Sequence, residues 1–281
     1  MKTRKITAVF ALLLAVCLLL GACSSTDIKK QNAYELVKNA VEKTSKLDSY
    51  ELDMTTNTTI DMMGQKMSTP INFNIKAEGA GSSLKAIGTI SMSVLGLEVK
   101  GDVYQENNMI YLSLGGMKFK IDASAEEAKT YQFADTEEQL IKSLPEDVLK
   151  DVQVTDNADG SRSVSVTVDG EKFTGIYNEL VSALSNADSY SEYAKDIKTE
   201  ITVKDAKVDI NVLPNGYIGK YELAFDMDIK ISSASEGLDV SSSVGVEASA
   251  SFKDPGSKVT VTAPSDLSEY VDYSKIPGMT F

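Results

Sequence analysis

Between residues 221 and 231 the side chains Tyr221, Leu223, Phe225, Met227, Ile229 and Ile231 occupy every second position. Successive side chains of a strand point to opposite faces, so this period of two specifies a strand with one apolar and one polar face. The period recurs along most of the chain. It runs through Tyr50, Leu52, Met54, Thr56, Thr58 and Ile60, then through Ile71, Phe73, Ile75 and Ala77. Further strands are expected at 85–94, 97–105, 109–114, 117–121, 151–155 and 163–168, and later around Ile201 and Val203, Val208 to Val212, and Val244 to Phe252. Glycine- and asparagine-rich turns separate them at Gly64, Gly79, Asn107-Asn108, Gly115-Gly116, Asn157-Ala158-Asp159-Gly160 and Pro214-Asn215-Gly216. Asp254-Pro255-Gly256 then leads to a last extended pair, Val259 and Val261, before Pro264. A set of strands with one apolar face each must bury that face against something, which here means helices.

Three segments have helical character. Residues 32–46 place Leu36, Val37, Ala40, Val41 and Leu47 on one stripe, with Asn32 as the expected cap and Lys38, Glu42 and Lys43 facing away. Residues 125–150 are acidic and helix-favouring, with Leu140, Ile141 and Leu144 as a short apolar face. At 171–185, Phe173, Ile176, Tyr177, Leu180, Val181 and Leu184 recur at steps of three and four, so one side of that helix is buried. The fold class is therefore α+β, a curved antiparallel sheet packed on a few amphipathic helices.

The amino end has its own logic. Lys2, Arg4 and Lys5 precede an uncharged apolar run from Ile6 to Leu20, followed by Gly21, Ala22 and Cys23. This is the layout of a secretory leader, and a run of roughly 15 residues is short of the 20 or so that span a bilayer. The sequence Leu20-Gly21-Ala22-Cys23 matches the lipobox of bacterial lipoproteins. Residues 1–22 are the expected leader, Cys23 the acylated first residue of the mature chain, 23–32 a polar tether and 33–281 one domain. Acyl chains bury about 0.8 kcal/mol per methylene, so Cys23 would anchor the protein on the outer face of the cell membrane.

Composition narrows the chemistry. The chain has 28 basic and 41 acidic residues; without Lys2, Arg4 and Lys5 the mature part would keep 25 against 41, a net of about −16. Such a surface is repelled by nucleic acid and by anionic headgroups, so neither is an expected partner. There is no histidine, and the cysteines are Cys17 and Cys23 alone, which excludes Ser-His-Asp and Cys-His nucleophiles and the usual zinc ligand sets. No metal, cofactor or enzymatic activity is expected. Glu222, Asp226 and Asp228 share one strand face but lack a ligand-spaced loop, so they are read as a solvated surface; Asp156 to Gly160 lacks the ligands of a calcium loop and is read as a turn.

The order of elements, with the lipobox, the phrase AYELVKNAVEKTSKLDSYELDM and the closing KVTVTAPSDLSEY, resembles the lipoproteins of the LolA and LppX/LprG superfamily, particularly a lipoprotein family of Gram-positive bacteria. That resemblance implies an open half-barrel, a strongly curved antiparallel sheet wrapped around helices with room between them for acyl chains. It differs from LolA in its tether and in having Arg162, beside a turn, as the one arginine outside the leader. The expected function is a membrane-tethered extracytoplasmic protein that binds or carries a lipid or other apolar molecule. The alternative is a non-enzymatic interaction or sensor domain with a filled core and an envelope protein as partner.

The candidate ligand-lining residues are Met54, Phe73, Ile75, Met92, Phe173, Ile176, Tyr177, Leu180, Leu223, Phe225 and Met227. Methionines 54, 62, 63, 67, 92, 109 and 117 concentrate in the first meander, and their unbranched thioethers adapt to irregular apolar ligands. Ordinary core packing accounts for the same pattern.

Overall fold

The computed structural model describes residues 28–62, 64–79, 83–94, 97–122, 149–175, 197–233 and 237–275. Helix α1 (Ile28–Thr44) leads into β1 (Ser49–Met62), β2 (Gln65–Glu78), β3 (Lys85–Val94), β4 (Leu97–Glu106), β5 (Met109–Leu114) and β6 (Met117–Asp122). The strands resume with β7 (Leu149–Asp156), β8 (Arg162–Val168), β9 (Ile197–Val203), β10 (Ala206–Val212), β11 (Ile218–Ser233), β12 (Leu238–Lys253) and β13 (Val271–Asp272). All thirteen belong to one sheet, in the order β13-β6-β5-β4-β3-β2-β1-β12-β11-β10-β8-β7, with β9 beside the far half of β11. The sheet is curved and unclosed, and every pairing is antiparallel except β13 on β6. The first and last thirds of the chain meet where β1 pairs with β12 from Glu51 opposite Lys253 to Met62 opposite Ser242, with Leu52 opposite Phe252.

Turn chemistry fixes the meander as the sequence implied. Asn107 and Asn108 adopt φ of 50° and 63°, and Gly115 and Gly116 adopt 57° and 84°, the left-handed pairs that two-residue hairpins require. Pro70 lies immediately beyond the last β2–β3 pair, Ile71 with Met92, where a missing N–H costs no ladder bond to β3. Gly88 and Gly101 sit where the sheet coils tightly. A Cβ at Gly88 would run into the Asn74 carbonyl oxygen, and one at Gly101 into that of Ser113.

Both bounds of the first helix need correction. Helix α1 starts at Ile28, one turn before the expected cap Asn32, because Ile28-Lys29-Lys30-Gln31 contains no glycine or proline to stop it. Part of the expected tether is thus helical. Its other end stops at Thr44, short of Lys46. Residues 258–264 belong to no strand or helix; Val259 donates its N–H to Ser49 Oγ at 2.9 Å, and Val261 is buried. The helix expected at 125–150 falls almost wholly outside the described residues, while Leu149 and Lys150 open β7. Of the helix expected at 171–185, residues 170–175 are described and helical, with the Asp169 carboxylate accepting the N–H groups of Glu171 and Lys172.

The packed core lies at one end of the sheet. Ala33, Val37, Ala40 and Val41 of α1 press on Val152, Val164, Val166, Val168, Val208, Ile210, Val212 and Ile218. Thr44 locks this end: its hydroxyl donates to the Ala40 carbonyl at 2.7 Å and accepts the Ile218 N–H at 2.9 Å, with the side chain fully buried.

Candidate apolar binding face

The sheet register decides which side chains share a face, and it lines them up in rows. Ile90 stands beside Phe73, Phe73 beside Met54, Met54 beside Ala250, Ala250 beside Tyr221 and Tyr221 beside Ile210. The next row runs Met92, Ile71, Thr56, Ala248, Leu223, Val208. Phe225 continues it beside Val246, and Met227 beside Val244 and Val203. Ile75 lies one row back, beside Leu52 and Gly88. Met54, Phe73, Ile75, Met92, Leu223, Phe225 and Met227 therefore share one face of the sheet, the face that carries α1 at its other end.

Along this face burial changes. Val37 of α1 and Val164 and Ile218 beneath it have 0% exposure. Met54, Phe73, Ile75, Ile90, Met92, Leu223, Phe225 and Met227 are all only half-buried. Met54, Leu223 and Phe173 pack against the rim of the core cluster, and the others extend beyond it. Between the large side chains of β2–β3 and those of β11, the small Thr56, Thr58, Ala248 and Ala250 make a low floor. The result is an open apolar face with a strip of small side chains along it. Ile176, Tyr177, Leu180 and Cys23 lie outside the described residues. Ile71, Ile90 and Val246 belong to the same rows and were not among the expected lining residues; alternation combined with register, which the sequence does not print, is the signal that finds them.

The reverse face is charged and solvated. Asp53 accepts from Asn74 and pairs with Lys253 at 3.0 Å, and these two partners, Asn74 foremost, hold its carboxyl below the usual range. Lys253 also holds the Glu51 carboxyl low. Glu222 pairs with Lys220, and Asp228 accepts from Ser243 at 2.6 Å, which depresses its pKa. Among the described residues no group of three or more His, Cys, Asp or Glu is placed to hold a metal. Over β4–β6 this reverse face is covered by the chain's closing segment. Tyr270 packs edge-on against Tyr111, Tyr111 against Tyr104, and Lys118 binds the Asp266 and Glu269 carboxylates. Burial raises the Tyr104 hydroxyl to a pKa of about 12. The strap then turns the β6 edge, where Tyr273 meets Phe119 of the apolar face.

An open cleft of about 1080 Å3 lies between α1 and β7. Glu35, Asn39, Lys150, Asp156 and Arg162 line it with Leu36 and Val152, and this mixed polar wall does not suit an acyl chain. The cleft is absent from the sequence reading because α1 and β7 are far apart in the chain.

These features define a class: a large open antiparallel sheet with one apolar face, capped at one end by an amphipathic helix. The chain belongs to a family of unknown function, DUF6612, whose family-wide profile matches residues 32–263. No functionally curated protein matches it. Similar solved structures include LprF from Mycobacterium bovis, 13% identical over 83% of this chain and 97% of that one, with a TM-score of 0.39. A DUF1329 family protein from Desulfovibrio piger is 11% identical over 81% and 94%, at 0.26, and a LolA superfamily protein from Nitrosomonas europaea is 10% identical over 81% and 94%, at 0.24.

Proposed function

We propose that this protein is a lipid-anchored, extracytoplasmic binder or carrier of an acyl-chain lipid, held on the apolar face of the sheet around Met54, Phe73, Met92, Leu223, Phe225 and Met227. The observation that carries the reading is the half-burial of these side chains on one continuous face, beside an end of the same face where packing is complete. A filled core would bury both ends alike. Methionine and aromatic side chains around a floor of threonine and alanine accommodate a flexible hydrocarbon better than a rigid polar ligand. We assign the acyl anchor to Cys23, which the four residues Ser24 to Asp27 separate from α1, so the fold stays within roughly 20 Å of the bilayer at full extension.

Native mass spectrometry of the full chain purified from its own membrane tests the reading. Retention of a lipid by the wild type, and its loss in a Phe73→Ser, Leu223→Ser double variant with an unchanged circular dichroism spectrum, is the expected result. An empty wild-type protein points instead to an interaction domain without ligand. Radiolabelled palmitate incorporated by the wild type and not by Cys23→Ser tests the anchor separately.

A further inference from the structure

Six large apolar side chains stand exposed among the described residues, and four of them, Met62, Met67, Leu97 and Met117, gather at one end of the sheet. They sit at the tips of three successive hairpins. Met62 and Met67 flank the β1–β2 turn, Leu97 opens β4 after the β3–β4 turn, and Met117 opens β6 after Gly115-Gly116. Leu97 is 73% exposed and Met117 53%. By register the β3–β4 tip falls at the level of Thr58 and the β5–β6 tip at that of Met54, an even step from Met62 along one oblique rim. All four share the strand parity of the apolar face: Met62 with Met54, Met67 with Phe73, Leu97 with Val103, and Met117 with Phe119. The apolar face therefore runs out to this rim, where these four side chains are exposed.

We infer that this rim is a membrane-docking edge, in which the hairpin tips enter the hydrocarbon of the outer leaflet and bring the apolar face directly onto the bilayer. The inference deepens the proposed function and rests on its two parts, the tether and the lipid-holding face.

Residue chemistry selects a bilayer over a protein partner. Protein interfaces concentrate energy in tryptophan, tyrosine and arginine, and the rim offers methionine and leucine on separate tips. Gly64, Gly115 and Gly116 leave the turns slender, with nothing within 4 Å of where a Cβ would stand. Separate, narrow apolar points fit a fluid that closes around each of them. Charge also points this way. Asp61 faces Lys66 across the first hairpin, and Glu98 pairs with Lys100 at 3.1 Å beside the second, so these flanking charges balance in pairs and give no attraction to an anionic surface. Docking by this edge is apolar, and salt does not weaken it. The tether supplies the bilayer at close range throughout.

The absence of tryptophan from the chain provides a clean reporter. The full chain carrying Leu97→Trp, Met117→Trp or, at the opposite end beside the start of β1, Lys258→Trp is purified from its membrane and reconstituted in phosphatidylcholine vesicles with brominated acyl chains. The expected result is blue-shifted, bromine-quenched emission from the first two and water-like, unquenched emission from the third, unchanged between low and high salt. Water-like emission from all three overturns the inference. So does equal quenching of all three, which signals non-specific collapse onto the lipid. In the full chain with Met62, Met67, Leu97 and Met117 all changed to serine, bromine quenching of a tryptophan placed at Lys66 falls by about tenfold in the docked fraction, because removing the contact of two methylenes already costs that factor. Undiminished quenching in that variant contradicts the inference. Bound lipid is assayed by native mass spectrometry on the same samples. Quenched tips on a protein that holds no lipid leave the docking edge standing and remove the carrier reading; water-exposed tips on a protein that does hold lipid do the reverse.

Discussion

The two ends of the sheet use the same alternation to different effect. Under α1, the inward positions of β8 and β10, Val164, Val166, Val208 and Ile210, are almost completely buried. Across β1–β3, the equivalent positions Met54, Phe73, Ile75 and Met92 are equally apolar but only half-buried. The side chains differ as well. The packed end is built of β-branched valine and isoleucine, whose stiff χ1 suits one fixed arrangement, and the open end adds phenylalanine and methionine to its own β-branched Ile71, Ile75 and Ile90. Burial is therefore the variable that separates a core from a binding face, since β-branched side chains stand at both ends.

Mutations that probe both ends sharpen this contrast. Ile210→Ala, in the packed end, is expected to lose about 2–5 kcal/mol of stability, through lost transfer energy and the cavity left behind. Phe73→Ala, on the open face, is expected to cost only about 1 kcal/mol, despite removing the larger side chain, because much of it is already in water. Urea denaturation of the two variants measures the gap; equal losses would mean that the two ends are packed alike.

A smaller effect is expected at the lock between α1 and β11. Thr44→Val keeps the shape but leaves the buried Ile218 N–H without its acceptor, at a cost of about 1–3 kcal/mol. Thr44→Ser retains the hydroxyl and should recover most of that loss in the same denaturation series.

The smallest effect concerns the strap over β4–β6. Its Asp266 carboxyl is held below its ordinary value of 3.8, first by the hydrogen bond from Lys118. A carboxyl depressed in the folded state contributes stability that is present above its unfolded pKa and is lost as pH falls through the folded one. The contact of Tyr270 with Tyr111, followed by aromatic resonances in NMR, should therefore persist to pH 4 and loosen only below the ordinary carboxylate value. Asp266→Asn should abolish that acid step while leaving the packed end unchanged.

Much of the sheet was legible because each strand carries its own period and each turn its own glycine or asparagine. The alternation from Tyr221 to Ile231 is the middle of β11, and Glu106-Asn107-Asn108 and Gly115-Gly116 are the turns they spell. The resemblance to the LolA and LppX/LprG superfamily anticipated a curved, unclosed antiparallel sheet, and the described strands form one. Other features depend on pairs of distant residues and carry no local mark. The start of α1 was misplaced because a polar first turn with good helix formers looks like a linker until it packs. Val259 and Val261 follow the Asp254-Pro255-Gly256 turn as the sequence has them, and the Ser49 hydroxyl that takes the Val259 N–H has no local mark. The strap contacts of Lys118 with Asp266 and Glu269 span most of the chain's second half, and nothing near either end announces them. Seven of the expected lining residues come together on one face, which the period alone could not establish, since it fixes the side of each strand and not its neighbour.

The most direct test of a lipid-holding face is photo-crosslinking of the full chain in its own membrane with a fatty acid that carries a diazirine along its hydrocarbon, followed by peptide mapping. The account predicts label on the peptides that contain Met54, Phe73, Met92 and Met227, removable by competition with unlabelled lipid. Label confined to the polar cleft of Lys150 to Asp156, or no competable label at all, would contradict it.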